Sequence, residues 1–150
     1  MNEDIITILT LLAVIGFGFG IGTYREKQHY DSIRKRERQT LQLPVVNFGC
    51  KQPLPEAREA RLFVGEVVIS PDAFKTFVLK LRNLVGGRIT VYESLLDRAR
   101  RESLLRLKEQ AIEWGATQVL NVRYETATIG NSSRRGVASL EVIVYGTAIR

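Results

Sequence analysis

An uninterrupted run of apolar residues near the N-terminus is the strongest pattern in this 150-residue chain. From Ile5 to Gly22 the sequence carries no charge, and its length matches about one bilayer crossing at roughly 1.5 Å rise per residue. A cleaved signal peptide has positive residues ahead of such a run, whereas Asn2, Glu3 and Asp4 precede it here. The pattern therefore predicts an uncleaved transmembrane anchor over residues 1–23.

A basic polar segment follows the anchor and predicts its orientation. Residues 24–40 contain no Gly or Pro, which favours a helical stalk. They hold six Lys or Arg against three Asp or Glu, and positive charge collects on the cytoplasmic side of membranes. We expect a single-pass protein of the cytoplasmic (inner) membrane, with its N-terminus outside and its stalk near anionic lipid head groups. No nucleic-acid partner is expected, because no aromatic-studded basic stripe or reader motif is present.

Four alternating glycines lie at the end of the apolar run. They form two overlapping pairs, Gly16 with Gly20 and Gly18 with Gly22, at the spacing that lets membrane helices approach closely. Two interpretations stay open. The anchor associates with copies of itself, or the glycines reflect the general glycine content of membrane helices.

The soluble part begins with an irregular segment and continues as a strand and two helices. Three prolines break regular structure in residues 41–60, which predicts a linker. Arg61–Ile69 is rich in β-branched residues and reads as a strand. Ser70-Pro71-Asp72 is typical of a helix start, and Gly86 ends that first helix. A second helix is expected from Arg88 to Trp114, with small residues along one stripe that let it lie close against a sheet. That stripe comprises Tyr92, Leu96, Ala99, Ser103, Leu107, Ala111 and Trp114.

Two further strands complete the predicted domain, 61–150. Gly115 ends the second helix, and the strands 118–129 and 137–149 flank a polar loop at 130–136, as in a hairpin. The order strand, helix, helix, strand, strand implies an α+β fold, with a small three-stranded antiparallel or mixed sheet and two helices on one face. Because such a sheet has two open edges and one uncovered face, we expect partners.

Candidate chemistry is sparse in this sequence. The formal charge is +6, and one Cys, one His and one Met are present. No His lies in residues 61–150, which removes the common nucleophile–base pairs, and no phosphate-binding loop is present, so we expect no enzyme activity and no cofactor. Heavy metals prefer clustered thiolate or imidazole ligands, whereas Cys50 and His29 lie apart. We expect Cys50 to be partly buried in the linker and Arg88, Glu93 and Glu125 to form a structural ion pair, a subunit contact or a ligand pocket.

Several short motifs in residues 61–150 also resemble a known family. They are Gly65-Glu66, Val85-Gly86-Gly87-Arg88, Tyr92-Glu93, Gly115-Ala116, Tyr124-Glu125 and Gly146-Thr147-Ala148. Together they are similar to the YbjQ-like domains, a family named for heavy-metal binding. The resemblance implies a fold similar to dodecin subunits, assembled as a ring that is typically pentameric. Candidates for ligand binding or subunit contact are Gly86, Gly87, Arg88, Tyr92, Glu93, Tyr124 and Glu125.

The sequence thus supports two functional hypotheses. The first is a membrane-anchored, non-enzymatic oligomer that acts as a scaffold or binding module. The second is a ring-shaped oligomer that binds a heavy metal or a small ligand at its subunit interface. Ring size, metal binding and association of the anchors stay open.

Overall fold

The computed structural model describes residues 2–70, 90–129 and 139–150. Within these ranges the chain forms two helices and four strands. They are α1 (Asn2–Gln39), β1 (Val45–Val46), β2 (Ala60–Ile69), α2 (Thr90–Trp114), β3 (Gln118–Ile129) and β4 (Ser139–Ile149). The predicted first helix of the domain after Ser70, its glycine stop and the loop at 130–136 lie outside the described residues.

The predicted anchor and stalk form one continuous helix. α1 runs from Asn2 to Gln39, with acidic residues in its first turn and basic residues in its last, which suits the helix dipole. Large apolar side chains of its first half are exposed, with 73% of Phe17 and 71% of Val14 accessible. By length and composition α1 can cross a membrane, and the candidate window is not buried by the described part of the chain.

The sheet has four strands in the order β1-β3-β4-β2, so the prediction of three strands is wrong by one. β4 lies in the middle and pairs antiparallel with both β2 and β3, whereas β1 pairs parallel with β3. The α+β class and the mixed sheet are confirmed. The strand 118–129 has the predicted bounds, and β2 begins one residue before the predicted start.

The additional strand comes from the segment that was predicted to be a linker. β1 is only two residues long, and Val45 lies opposite Val119. Just before β1, Leu43 is 3% exposed and belongs to the hydrophobic core. At the other end of the segment, the backbone amides of Arg58 and Glu59 donate to the carbonyl of Arg150. Residues 41–60 are therefore packed against the domain at both ends.

α2 covers one face of the sheet through a buried stripe in which most residues are small. Ala99, Ser103, Leu107 and Ala111 recur every four residues and are fully buried. They face alternate residues of β2 and β4, because side chains along a strand point to one face at every second position. We call this covered side of the sheet the inner face. The predicted close-packing stripe is confirmed at these positions.

The closest contact between helix and sheet occurs at Gly65 in β2. A Cβ atom at this position would lie 2.0 Å from the carbonyl oxygen of Ser103 and 2.9 Å from the amide nitrogen of Leu107. The helix backbone therefore rests directly on the strand backbone, which only glycine permits. Leu107 and Ala111 reach the core because of this short separation.

A left-handed residue ends α2, as predicted. Gly115 has a φ of +87°, a conformation that glycine adopts without a Cβ clash. On β3, Asn121 has a φ of +53° where the pairing with β4 shifts register, and its side-chain oxygen accepts a hydrogen bond from the amide of Phe48. Asparagine tolerates this region better than most residues. The bulge thus connects β3 to the segment that follows β1.

Gly65→Ala should strongly destabilise the protein, because the methyl group would overlap helix backbone that has no room to move. We expect a loss of at least about 3 kcal/mol, or a fall of roughly 10 °C in the thermal midpoint. Circular dichroism of the full-length protein in detergent measures this. Gly49→Ala is the control, because the nearest atom to its Cβ, Oε1 of Gln52, lies 4.0 Å away. A Gly65→Ala protein as stable as this control would contradict the close approach.

Candidate functional site: the junction of the first helix and the domain

The residues that the sequence marked as candidates lie in separate parts of the molecule. Gly86, Gly87 and Arg88 fall outside the described residues. Tyr92 and Glu93 lie in the first turn of α2, where Glu93 is exposed.

The remaining candidates, Tyr124 and Glu125, point to opposite faces of the sheet. Tyr124 lies opposite Val144 on the inner face, and burial raises its pKa. Glu125 lies opposite Ile143 on the other side, which we call the outer face. Since α2 packs on the inner face, the sheet separates Glu93 from Glu125. The two described members of the predicted acidic and basic cluster are therefore not brought together.

The anchor glycines have open space around them. A Cβ atom at Gly16, Gly18 or Gly20 would meet nothing within 4 Å. Their pairing with another copy of α1 stays a prediction.

A guanidinium that connects α1 to α2 is the most highly coordinated polar group at the junction. Arg36 donates to both oxygens of Glu102, at 2.7 and 2.9 Å, and to both oxygens of Glu109, at 2.7 Å each. Arg106 donates to Glu102 from the following turn of α2, at 3.1 Å. Only 7% of the Glu102 side chain is accessible. The Nε and Nη2 atoms of Arg36 form a bidentate pair with Glu109, and its Nη1 atom donates to both oxygens of Glu102, which fixes the position and the orientation of the stalk.

The ion pairs shift the pKa values of their members in the direction that favours charge. Burial by itself raises the pKa of Glu102, but hydrogen bonds from Arg36 and Arg106 outweigh it and hold that pKa below its ordinary 4.5. The pKa of Arg36 is raised, chiefly by its hydrogen bond to Glu109. Because the Glu102 pKa is lower in the folded chain, its stabilising contribution is complete above the unfolded value and disappears as pH falls through the folded value.

A second set of contacts shows that α1 and α2 run parallel. Arg101 donates to Glu37 at 2.6 and 2.7 Å, which lowers the pKa of Glu37 chiefly through that hydrogen bond. Nearer the start of both helices, the hydroxyl of Tyr30 donates to the carbonyl of Ser94 at 3.3 Å. Contacts thus advance along both helices in the same direction.

Sequence reasoning missed this junction because it placed the stalk charges near lipid. Arg36 and Glu37 instead face α2, and the i,i+4 pair of Glu102 with Arg106 is part of the larger network. One signal was present in the sequence. Ile33 and Thr40 lie on the same face of α1 as Arg36, and burial of Ile33 is complete.

The outer face of the sheet is apolar at many of its positions. Leu62 is 61% exposed and Val68 is 57% exposed, although a sheet face that meets water normally carries polar side chains. Register places further apolar side chains on this face, at Val64, Ile129, Ile143 and Tyr145. Exposed apolar patches of this kind mark interaction surfaces.

The edge strand β2 is capped by side chains of α2. Gln110 donates to the carbonyl of Val64 at 3.1 Å, and Arg106 donates to the carbonyl of Glu66 at 3.0 Å. Two backbone carbonyls at this sheet edge therefore already accept hydrogen bonds from side chains of the same chain.

Comparison with known proteins identifies relatives of the domain. The model of the YbjQ family, described as "Putative heavy-metal-binding", matches residues 56–150. A UPF0145 protein of Clostridium novyi is 37% identical over 95 residues, which cover 63% of this chain and 86% of the relative. A UPF0145 protein of Thermus thermophilus is 41% identical over 86 residues, 57% of this chain and 70% of the relative. α1 and β1 lie outside the matched segment.

The residues of the matched segment do not fit the metal in this description. The single Cys, His and Met of the chain all precede residue 56, so the segment has no thiolate, imidazole or thioether ligand. In the ranges that the structure describes, no three His, Cys, Asp or Glu side chains are grouped to hold a metal. Cys50 is exposed, so the expectation that it is partly buried is wrong.

Arg36→Leu should loosen the stalk from the domain. Removing the guanidinium leaves Glu102 buried with Arg106 as its remaining described partner, at a cost of about 2–3 kcal/mol. Hydrogen–deuterium exchange of the stalk amides should accelerate by roughly 30- to 150-fold. Arg38→Leu, an exposed arginine in the same helix, is the control and should leave exchange unchanged. Equal exchange in both variants would contradict the role of Arg36.

Proposed function

The chain belongs to the YbjQ family, and on that premise we propose that it is a membrane-anchored, non-enzymatic scaffold whose domains self-associate at the cytoplasmic face. The observation that carries this proposal is the pair of exposed apolar surfaces on one chain. One surface is the first half of α1, and the other is the outer face of the sheet. Exposure of either surface to water is unfavourable in free energy. A bilayer covers the first surface, and a second copy of the chain covers the other.

The membrane part of the proposal is supported by the shape and charge of α1. None of its apolar window is buried by the described part of the chain, and its basic half is joined to α2 through Arg36. The excess of positive charge after Tyr24 favours a cytoplasmic domain. The anchor then holds the domain close to the bilayer.

Self-association is supported by the outer face. Leu62, Val64 and Val68 of β2 form a row along an edge strand that Glu66 interrupts, next to Tyr145 and Ile143 of the central strand. We propose that copies of this chain cover that row in a closed ring. A scaffold of this kind presents several identical domains to a partner at one point of the membrane.

Metal binding is not proposed. The matched domain lacks soft donors, and Cys50 lies in the segment between β1 and β2. Enzyme activity is not proposed either, since the domain has no His.

Cys50 provides a native test of orientation, since it is exposed and is the chain's single cysteine. We expect a membrane-impermeant maleimide to leave it unlabelled in spheroplasts of an expressing bacterium and to label it after detergent permeabilisation. The membrane fraction should retain the protein in alkaline carbonate. An Asn2→Cys, Cys50→Ser variant is the control, because it places the single cysteine at the opposite, outside position. Labelling of Cys50 in intact spheroplasts would contradict the cytoplasmic placement.

Leu62→Asp should disrupt self-association, because a carboxylate in a covered apolar interface loses its hydration. Native mass spectrometry of the full-length protein released from detergent should show a discrete oligomer for the wild type and smaller species for this variant. Leu54→Asp is the matched control, because Leu54 is equally exposed, at 64%, but lies outside the sheet. An oligomer that survives Leu62→Asp would exclude the outer face as the interface.

A further inference from the structure

A cavity lies between α1 and the domain, next to the end of the apolar run. Its volume is about 410 Å³, and α1, α2 and the residue that follows β2 contribute to its wall. Its described lining residues are Gly22, Arg25, Glu26, His29, Ser70, Leu95 and Arg98. We call this cavity the juxtamembrane cleft. No motif in the sequence marked it, because its two walls come from segments about 70 positions apart.

The cleft lies along the same contact between α1 and α2 that contains Arg36, nearer to the N-terminus of both helices. Gly22, Arg25 and His29 recur at three- and four-residue spacing on α1, so they share one helix face, as Leu95 and Arg98 do on α2. At Arg36 that contact contains one guanidinium and two carboxylates. Among the described lining residues of the cleft the proportion is reversed, with two guanidiniums and an imidazole against one carboxylate, that of Glu26.

Arg98 is the residue that most clearly points to a ligand. Its Nε atom is buried and has no hydrogen-bond acceptor among the described residues. Native structures rarely leave a buried donor unsatisfied, since it has lost water without gaining a partner. An acceptor that enters the cleft from outside the chain would satisfy it.

The position of the cleft relative to the apolar run indicates where such an acceptor comes from. Arg25 and His29 follow Gly22 by three and seven residues, so they lie roughly 5 and 10 Å further along the helix axis. The head-group layer of a bilayer is about 5–8 Å thick on each side. If the apolar run spans the hydrocarbon core, the two side chains lie at or just beyond the level of the lipid phosphates.

We propose that the juxtamembrane cleft binds the phosphate group of an anionic phospholipid, with Arg98 and Arg25 as its ligands. The inference rests on the proposed membrane anchoring. A guanidinium offers its donors in a planar fork that matches two phosphate oxygens, and Arg98 brings that fork from the domain rather than from the anchor. Binding therefore requires α1 and α2 to be docked together, and a bound lipid stabilises that docked state.

Full-length protein in a neutral detergent tests the proposal by titration with three probes. They are dioctanoyl phosphatidylglycerol, dioctanoyl phosphatidylcholine and inorganic phosphate, with bound ligand counted by native mass spectrometry. We expect phosphatidylglycerol to bind more tightly than phosphatidylcholine and inorganic phosphate to bind weakly. Arg98→Gln should reduce the affinity for phosphatidylglycerol by about tenfold, the loss of one charge-assisted contact.

Arg100→Gln is the matched control, because it makes the same change two residues away at an exposed position of α2 and should keep affinity within about twofold. Arg25→Gln should weaken binding as Arg98→Gln does, which excludes misfolding of one variant as the cause. Equal affinities for the wild type and Arg98→Gln, or for phosphatidylglycerol and phosphatidylcholine, would overturn the proposal. Tight, Arg98-dependent binding of inorganic phosphate without lipid binding would overturn the assignment to a lipid.

The proposed function and this inference fail in different ways. If Cys50 labelling and carbonate extraction show that the chain does not span the membrane, the anchoring proposal fails whatever the titration gives. If the chain is anchored but Arg98→Gln binds lipid like the wild type, the cleft alone is excluded.

Discussion

The paired contacts of Arg36 with Glu102 and Glu109 determine how the two halves of the molecule are arranged. A long helix with an apolar first half and a small domain of different composition have few reasons to hold a fixed relation. One partly buried guanidinium between two carboxylates supplies it, because it donates to both oxygens of each carboxylate and Glu102 is almost fully buried. The parallel course of α1 and α2 follows from this contact and from that of Glu37 with Arg101. The juxtamembrane cleft exists because the same two helices lie side by side before they reach Arg36.

The sequence predicted the regular elements well where their patterns were long. The strand 118–129 has the predicted ends, and α2 ends at Trp114 because Gly115 takes a left-handed conformation there. The small residues Ala99, Ser103 and Ala111 along one stripe correctly indicated the close contact with the sheet. β1 could not be predicted, since two residues have no periodicity, and it forms only because β3 presents a free edge beside Val45.

The junction could not be read from the sequence for a different reason. Pairs such as Glu102 with Arg106 are local, so helix geometry alone predicts them. Arg36 and Glu102 are 66 positions apart, and either charge by itself is typical of a solvated helix face. The metal-binding description of the family gave no guidance, because the domain contains none of the soft ligands that a heavy metal needs. The pattern identified the fold class and the family, whereas the contacts that distinguish this chain required its tertiary structure.

The hydrogen bonds from α2 to the edge of β2 limit how copies of the protein can assemble into larger structures. An uncovered strand edge is a template onto which another chain can add its own strand, and repeated addition gives an open fibril. Gln110 and Arg106 occupy two backbone carbonyls of β2, so an incoming strand would have to displace both. Association of copies through a sheet face, which can close on itself and stop, would leave these two hydrogen bonds intact, whereas strand-by-strand polymerisation along β2 would not.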